Sequence, residues 1–379
     1  MNIGIVCYPT YGGSGVVATE LGKSLALRGH KVHFITYSRP IRLGMFTQNV
    51  TFHEVRVQDY PLFEYPPYES ALASTMVDVA RYQNIDVFHV HYAIPHASAG
   101  MLARNILADM GRYVPLITTL HGTDITLVGK EKAYEPVVAY SINQSDGITA
   151  VSDFLRRSTH DTFPIRKEIE VIPNFVDTER FSRQDKEHFH KIIAPNGEKI
   201  VLHTSNFRKV KRIEDVILAF QRIRGGVNSK LLMVGDGPER SKAEALCREL
   251  DLCSDIVFLG NQNPVEELYS IGDLFLMPSA SESFGLSALE AMACGMPCIT
   301  SDAGGLPEIN LNGKTGYVCA VGDVDNMGAR GVEILSDDKK WADFSTNARE
   351  KALEFDREAV VPQYEKYYEK ILQQAKAPV

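Results

Sequence analysis

Short runs rich in β-branched and aromatic residues alternate with longer stretches of helical periodicity along the whole chain, the pattern that parallel α/β sheets produce. In the first half the strand-like runs fall at 2–7, 31–36, 86–90, 115–120, 147–151 and 169–172, with helical stretches such as 14–28, 70–83 and 96–110 between them. The alternation restarts in the second half. Strands are predicted at 199–205, 230–234, 255–259, 273–277, 297–300 and 316–319, and helices at 213–223, 238–249, 264–270, 285–294 and 326–336. A last polar–apolar helix spans about 357–376. Residues 173–198, Pro-Asn-Phe-Val-Asp followed by a charged stretch rich in His and Lys, form the best linker. The pattern predicts two doubly wound, Rossmann-like domains, 1–175 and 176–356.

Composition agrees with that organisation. The 379 residues exceed one ordinary core and suit two domains of roughly 150 to 200 residues each. Hydrophobic content of 44% with 23% charge is that of a soluble globular protein. A net charge of −8 argues against a general nucleic-acid or anionic-membrane surface. It leaves a small anionic substrate open, because a local basic cluster outweighs the global sign at short range. The apolar start Ile3–Cys7 is too short for a secretory signal and lacks a basic flank, and no run approaches 18 apolar residues. The six cysteines include no Cys-x-x-Cys pair and read as reduced core residues of a cytoplasmic protein. Cys294 and Cys298 are the spacing to weigh as a redox pair, against the usual inertness of buried thiols.

The densest candidate chemistry is Glu282-Ser283-Phe284-Gly285-Leu286-Ser287-Ala288-Leu289-Glu290, which follows a strand and a polar turn and runs into Ala-Met-Ala-Cys-Gly-Met-Pro-Cys-Ile-Thr. Glu282 then lies in the loop before a helix that starts near Gly285, with Glu290 about two turns in. Both carboxylates can meet one ligand over the helix N-terminus, where free amides favour anionic groups. A capped amphipathic helix with solvated glutamates is the ordinary alternative. The whole segment resembles family 4 of the retaining glycosyltransferases, whose hallmark is this Glu-x7-Glu motif, a small-residue helix, Gly-x-Pro and a strand. Gly304-Gly305-Leu306-Pro307-Glu308 resembles the family's Gly-Gly-x-x-Glu element. The resemblance extends over essentially the whole chain. It implies the GT-B fold, two facing Rossmann-like domains with the active-site cleft between them, and a last helix (about 357–379) packing back on the first domain.

Four further constellations acquire roles from that resemblance. Tyr11-Gly12-Gly13-Ser14-Gly15 opens a helix after the first strand; it is not Gly-x-Gly-x-x-Gly, so the dinucleotide fingerprint is absent. The family places this loop beside the donor diphosphate and the acceptor, which singles out Gly13 and Ser14. Asn206-Phe207-Arg208-Lys209-Val210-Lys211-Arg212 puts four cations in five residues, elsewhere an ordinary solvated face. The family sets an Arg and a Lys here on the departing diphosphate, five apart and followed by Gly. This chain departs from that pattern, because Arg208 stands only three before Lys211 and Arg212 occupies the glycine position. His121, at a strand end, corresponds to a family histidine near the transferred sugar, with Thr119 facing the acceptor and Tyr92 at an acceptor-touching position. His89, His91 and His96 suggest a metal only weakly, since no carboxylate or Cys completes a set. Val234-Gly235-Asp236-Gly237-Pro238 is a tight turn read as scaffold.

Other segments are not general family features: Cys7-Tyr-Pro, Tyr65-Pro-Pro-Tyr68, His91-Tyr-Ala-Ile-Pro-His96 and Thr118–Thr126. They resemble the branch of the family that transfers N-acetylglucosamine from UDP-GlcNAc to L-malate in bacillithiol biosynthesis. The resemblance implies catalytic roles for His121, Arg208, Lys211 and Glu282. It implies donor contacts from Gly13, Arg208, Lys211, Glu282, Phe284, Gly285, Leu286 and Glu290, and acceptor contacts from Ser14, Tyr92, Thr119 and Asn206. The expected ligands are UDP-GlcNAc and L-malate as substrates, with no metal, no other cofactor, no nucleic acid and no stable membrane association; a homo-oligomer is left open. Alternatives are a peripheral membrane transferase acting on a lipid or polymer, a UDP-GlcNAc 2-epimerase and a non-catalytic sugar-nucleotide sensor. Helix 70–83 carries only Arg81 against Glu69 and Asp78, which speaks against the membrane reading.

Overall fold

The computed structural model describes residues 1–10, 12–57, 64–127, 131–184 and 187–376. They fall into two compact units, Met1–Asn174 together with the segment from Glu358 onward, and Phe175–Arg357.

The first unit is built on β1 (Asn2–Val6), β2 (Lys31–Thr36), β3 (Val50–Glu54), β4 (Val87–His91), β5 (Leu116–Leu120), β6 (Gly147–Ala150) and β7 (Glu170–Val171). All pairings are parallel and the order is β3-β2-β1-β4-β5-β6-β7. Central strands β4 and β5 are buried at every position, so even the His and Thr of Val-Phe-His-Val-His and Leu-Ile-Thr-Thr-Leu lie inside and no solvent face shows. β3 escapes the sequence pattern because Val-Thr-Phe-His-Glu is an edge strand without a buried residue. The apolar faces of helices Tyr68–Gln83 and Ser98–Asp109 close one side through Leu72, Met76, Ala103 and Leu107.

The last helix, Arg357–Lys376, belongs to this first unit, as the resemblance implies. Tyr364 and Tyr368 are fully buried. The Tyr367 hydroxyl accepts from Ile148 N at 2.8 Å and donates to Ile148 O at 3.1 Å, and Glu365 meets Arg28 Nε at 2.9 Å and His30 Nε2 at 2.8 Å.

The second unit repeats the winding with β8 (Lys199–Thr204), β9 (Ser229–Val234), β10 (Ile256–Gly260), β11 (Leu274–Met277), β12 (Cys298–Ser301) and β13 (Gly316–Cys319), ordered β10-β9-β8-β11-β12-β13. Its core joins Val201, Leu231, Met233, Leu274 and Ile299 to the helix face Val216, Ile217, Phe220 and Ile223. The start of the expected linker is packed into this unit. Phe175, Val176 and Phe181 are buried, Val176 exchanges backbone hydrogen bonds with Phe355 and Arg357, and Arg349 donates to Thr178 O and Phe181 O at 2.9 Å. Among the described residues no helix is long and apolar enough to cross a membrane.

Candidate active site

In doubly wound sheets ligands gather outside the carboxyl ends of the strands, where the strand order reverses. In the second unit that point lies between β8 and β11. The loop after β8 carries Asn206 to Arg212 and the loop after β11 carries Glu282, so the two predicted clusters emerge from adjacent strands. Lys211 Nζ forms an ion pair with Glu282 Oε1, and Ser279 Oγ donates to the same oxygen at 2.9 Å. The side chains of Lys211 and Glu282 are 18% and 11% exposed. Glu282 Oε2 makes no hydrogen bond among the described residues. Ser279 is itself fixed, because Ser301 Oγ donates to its carbonyl at 2.5 Å, and Ala280 N donates to Val210 O at 2.7 Å, tying the two loops together.

Close backbone approach shapes both loops. Gly304 has φ 63°, and a Cβ there would stand 1.8 Å from Glu282 O; Gly305 N donates to that same carbonyl at 3.0 Å. This is the physical meaning of the Gly-Gly element: it lets one loop rest on the backbone of Glu282. The turn after β9 clamps the Asn206 loop in the same way, since a Cβ on Gly235 would meet Ser205 O at 1.8 Å.

The cation cluster is spread out. Arg208 is exposed and makes no ion pair among the described residues, while Lys211 is partly buried on Glu282. Arg212, at the position where the resemblance puts glycine, has φ 50° and ψ 54° and pairs with Asp215. The left-handed backbone explains the glycine preference, and the ion pair shows how an arginine is held there. Asn206 is exposed on the same loop.

The helix after the loop is Leu286–Ala293, started by Gly285 at φ 99°. Glu290 therefore lies just over one turn in, not two, and is only 6% exposed. It sits beside Tyr269, whose hydroxyl is pushed well above its ordinary value by burial and then by the Glu290 charge. The Phe284 ring is buried against Phe355 at 5.7 Å between centroids, so Phe284 offers its backbone and not its ring to a ligand.

In the first unit the order reverses between β1 and β4. Gly13, exposed, begins the helix Gly13–Leu27, and Ser14 Oγ lies 2.9 Å from Tyr92 OH, just past β4; Tyr11 lies outside the described residues. The Tyr92 ring packs against His121 at 5.4 Å between centroids. His121 Nε2 in turn meets His91 Nδ1 at 2.7 Å, and His96 Nδ1 donates to His91 O at 2.5 Å. Desolvation holds these imidazoles neutral. It lowers His96 to about 4 and His121 to about 3, and drives His91 well below its usual range. Among the described residues no three His, Cys, Asp or Glu side chains form a metal-binding set; here the imidazoles bond to one another and to the backbone.

Thr119 corrects an expectation. It is fully buried, with Oγ1 2.6 Å from His89 Nε2 and 2.6 Å from Thr149 Oγ1, so it braces His89 from the core and does not face an acceptor. Both faces of β5 are covered, so either direction of its pleat leads into the core. Asp124 and Ser279 received no role from the sequence. Asp124 accepts from Ala93 N at 3.0 Å, Gly122 N at 2.9 Å and His121 N at 3.3 Å, joining the loops after β4 and β5, and burial raises its carboxyl to about 6. Its only sequence signal is its place in His121-Gly-Thr-Asp124.

Two Rossmann-like units, each with its polar cluster at the strand-order reversal, define the class. Residues 11–180 match the family described as Glycosyltransferase Family 4 and residues 184–351 that described as Glycosyl transferases group 1. The chain belongs to these GT-B glycosyltransferases and is an enzyme of that kind. It is 46% identical over 378 residues to N-acetyl-alpha-D-glucosaminyl L-malate synthase of Bacillus anthracis, covering 99% of this chain and 98% of that protein. An uncharacterized glycosyltransferase of Methanocaldococcus jannaschii is 27% identical over 354 residues, covering 90% of this chain and 89% of that one. In fold the chain is similar to Anabaena HepE in complex with UDP and glucose, with TM-score 0.83 at 20% identity over 97% of this chain and 99% of that one.

Proposed function

We propose that this glycosyltransferase moves N-acetylglucosamine from UDP-GlcNAc to the hydroxyl of L-malate with retention at the anomeric carbon, releasing UDP, as the first step of bacillithiol biosynthesis. The end-to-end similarity to the Bacillus anthracis synthase supports that choice of substrates. The observation that carries the chemistry is the Lys211–Glu282 pair beside the helix that begins at Leu286.

A lysine ammonium has three protons. One is given to Glu282, leaving two for diphosphate oxygens. Charge growing on the departing UDP is stabilised by Lys211, by the exposed guanidinium of Arg208 and by the amides after Phe284, with Gly13 close to the donor as well. Glu282 Oε2 accepts from a sugar hydroxyl, and Glu282 acts as a holder of the sugar and not as a nucleophile. Glu290 takes the ribose hydroxyls, and His121 stands by the transferred sugar. Ser14, Tyr92 and Asn206 supply donors to malate, whose hydroxyl proton passes to a phosphate oxygen on the face from which UDP departs. No metal or other cofactor takes part in this scheme.

The test is UDP release from UDP-GlcNAc with and without L-malate, together with NMR of the product's anomeric proton. Malate-dependent release with an α-configured product is expected. Release that ignores malate, a β product, or conversion of UDP-GlcNAc alone into UDP-ManNAc would overturn the proposal.

A further inference from the structure

His91 is the last residue of β4, fully buried, and its two nitrogens have different fates. Nδ1 faces His121 Nε2 at 2.7 Å, whereas Nε2 is buried with no hydrogen-bond partner. The pair shares one proton, and two arrangements are open. Either His121 Nε2–H donates to His91 Nδ1, which puts the remaining His91 proton on the buried Nε2 as an orphaned donor. Or His91 Nδ1–H donates to His121 Nε2, which leaves His91 Nε2 a bare lone pair. Buried N–H groups without partners are rare, while under-used acceptors are tolerated more readily. The neighbouring ring provides an independent check. His96 Nδ1 faces a carbonyl oxygen, that of His91, and so must carry the proton; its own buried Nε2, also without a partner, is then a lone pair. This pocket already holds one orphaned acceptor.

We propose that His91 is a positioning residue: its Nδ1–H fixes His121 as the Nδ1–H tautomer, so that His121 presents a hydrogen-bond donor, and not a base, to an oxygen of the reacting ligand. His121 Nδ1 makes no hydrogen bond among the described residues and, unlike His91 Nε2, it is not a buried unpartnered atom. The His91 ring stacks on His89 at 4.5 Å and on His121 at 5.0 Å between centroids, and His89 is pinned by Tyr368 OH at 2.7 Å and Thr119 Oγ1 at 2.6 Å. The support therefore runs from the C-terminal helix through two rings to His121. Naming the recipient as a sugar or phosphate oxygen rests on the function proposed above; the tautomer does not.

The experiment is long-range proton–nitrogen NMR on the ¹⁵N-histidine-labelled full chain near neutral pH, with signals assigned from His91→Asn and His121→Asn. Protonated Nδ1 and bare Nε2 on both residues is the expected result, and a proton on Nε2 of either overturns the proposal. Turnover supplies the second arm. His91→Asn keeps an amide donor near the Nδ1 position and should retain most of kcat. His91→Leu should lose about 10- to 100-fold in kcat with KM changed less than threefold, since misorientation of a contacting group costs rate before affinity. Equal losses in the two variants would make His91 a packing residue only. If His91→Leu does not fold, the wild-type spectrum still decides. Absence of malate-dependent turnover in the wild type would sink the proposed function and leave the tautomer result standing.

Discussion

Lys211 and Glu282, 71 residues apart, meet on a single carboxylate oxygen, Oε1, which also accepts the Ser279 hydroxyl. Concentrating both donors on one oxygen leaves the other open to a ligand, and it holds the lysine at the mouth of the loop before any phosphate arrives. Preorganised charge of this kind is worth far more in a partly desolvated site than in water.

Lys211→Ala should therefore lower kcat by about 10²- to 10³-fold, as expected for loss of one such donor. Glu282→Gln keeps a hydrogen-bonding side chain but removes the charge that orients Lys211, and should raise KM for the sugar nucleotide. Steady-state UDP release on both variants checks this. A Lys211→Ala enzyme within threefold of wild type would remove Lys211 from the reaction.

Ser279→Ala tests how firmly Glu282 must be held. Loss of one hydrogen bond to a charged acceptor costs about 1.5–3 kcal/mol of stability. The expected outcome is a small drop in Tm with a several-fold loss of activity, while Ser279→Thr, which retains a hydroxyl, recovers part of it.

Gly304→Ala and Gly313→Ala separate backbone approach from backbone conformation. Both glycines have positive φ, 63° and 73°, but a Cβ on Gly313 meets nothing within 4 Å, whereas on Gly304 it would strike Glu282 O. Gly313→Ala should cost about 1–2 kcal/mol, the left-handed penalty alone. Gly304→Ala must also displace the Glu282 loop, so thermal melts should show the larger loss and turnover should fall with it.

Acid should unfold the protein through its histidines. Burial lowers His89 to about 3, and His96 and His203 to about 4, below the unfolded value near 6.5. The unfolded chain then binds more protons below pH 6.5, so their contribution is complete above that value and is lost as pH falls toward the folded values. Between pH 6.5 and 5 each group removes up to about 2 kcal/mol. Asp124, raised to about 6, acts in the opposite direction and gains stability on protonation, but it is one group against these three and His91 and His121 besides. Thermal unfolding from pH 7.5 to 5 should show a falling Tm, and a flat profile would contradict the buried neutral imidazoles.

The alternation of apolar runs was enough to read the doubly wound class, because the central strands are buried on both faces and bounded by polar turns. It found the last helix at 357–376 as observed. It passed over β3, whose half-exposed Val-Thr-Phe-His-Glu lacks a buried face, and made too much of Asn-Phe-Val-Asp as linker, since polar neighbours hide the packing of Phe175 and Val176. The Glu282 and Lys211 segments were legible as motifs, but their contact was not, because nothing local in the chain records which strands lie side by side. Thr119 shows the same limit in reverse: the resemblance turned it toward the acceptor, whereas its hydroxyl is taken up by His89 and Thr149, partners on neighbouring strands that nothing local in the chain records. The histidines drew attention as metal ligands, while their actual partners, each other and Tyr368, lie up to 279 residues away.

The return of the chain to its first unit at residue 358 has a consequence for biosynthesis. Tyr364, Tyr367 and Tyr368 complete the interior of a sheet whose strands emerge from the ribosome long before them. Until those residues are made, His89 Nδ1 lacks its phenol partner and the helix-covered face of the sheet stays open. The second unit, continuous from 175 to 357, has its full sequence first and can close on its own. The amino-terminal half of this enzyme is thus the last to be finished, and a ribosome stalled between the two events would hold a nascent chain with exposed apolar surface for a chaperone to cover.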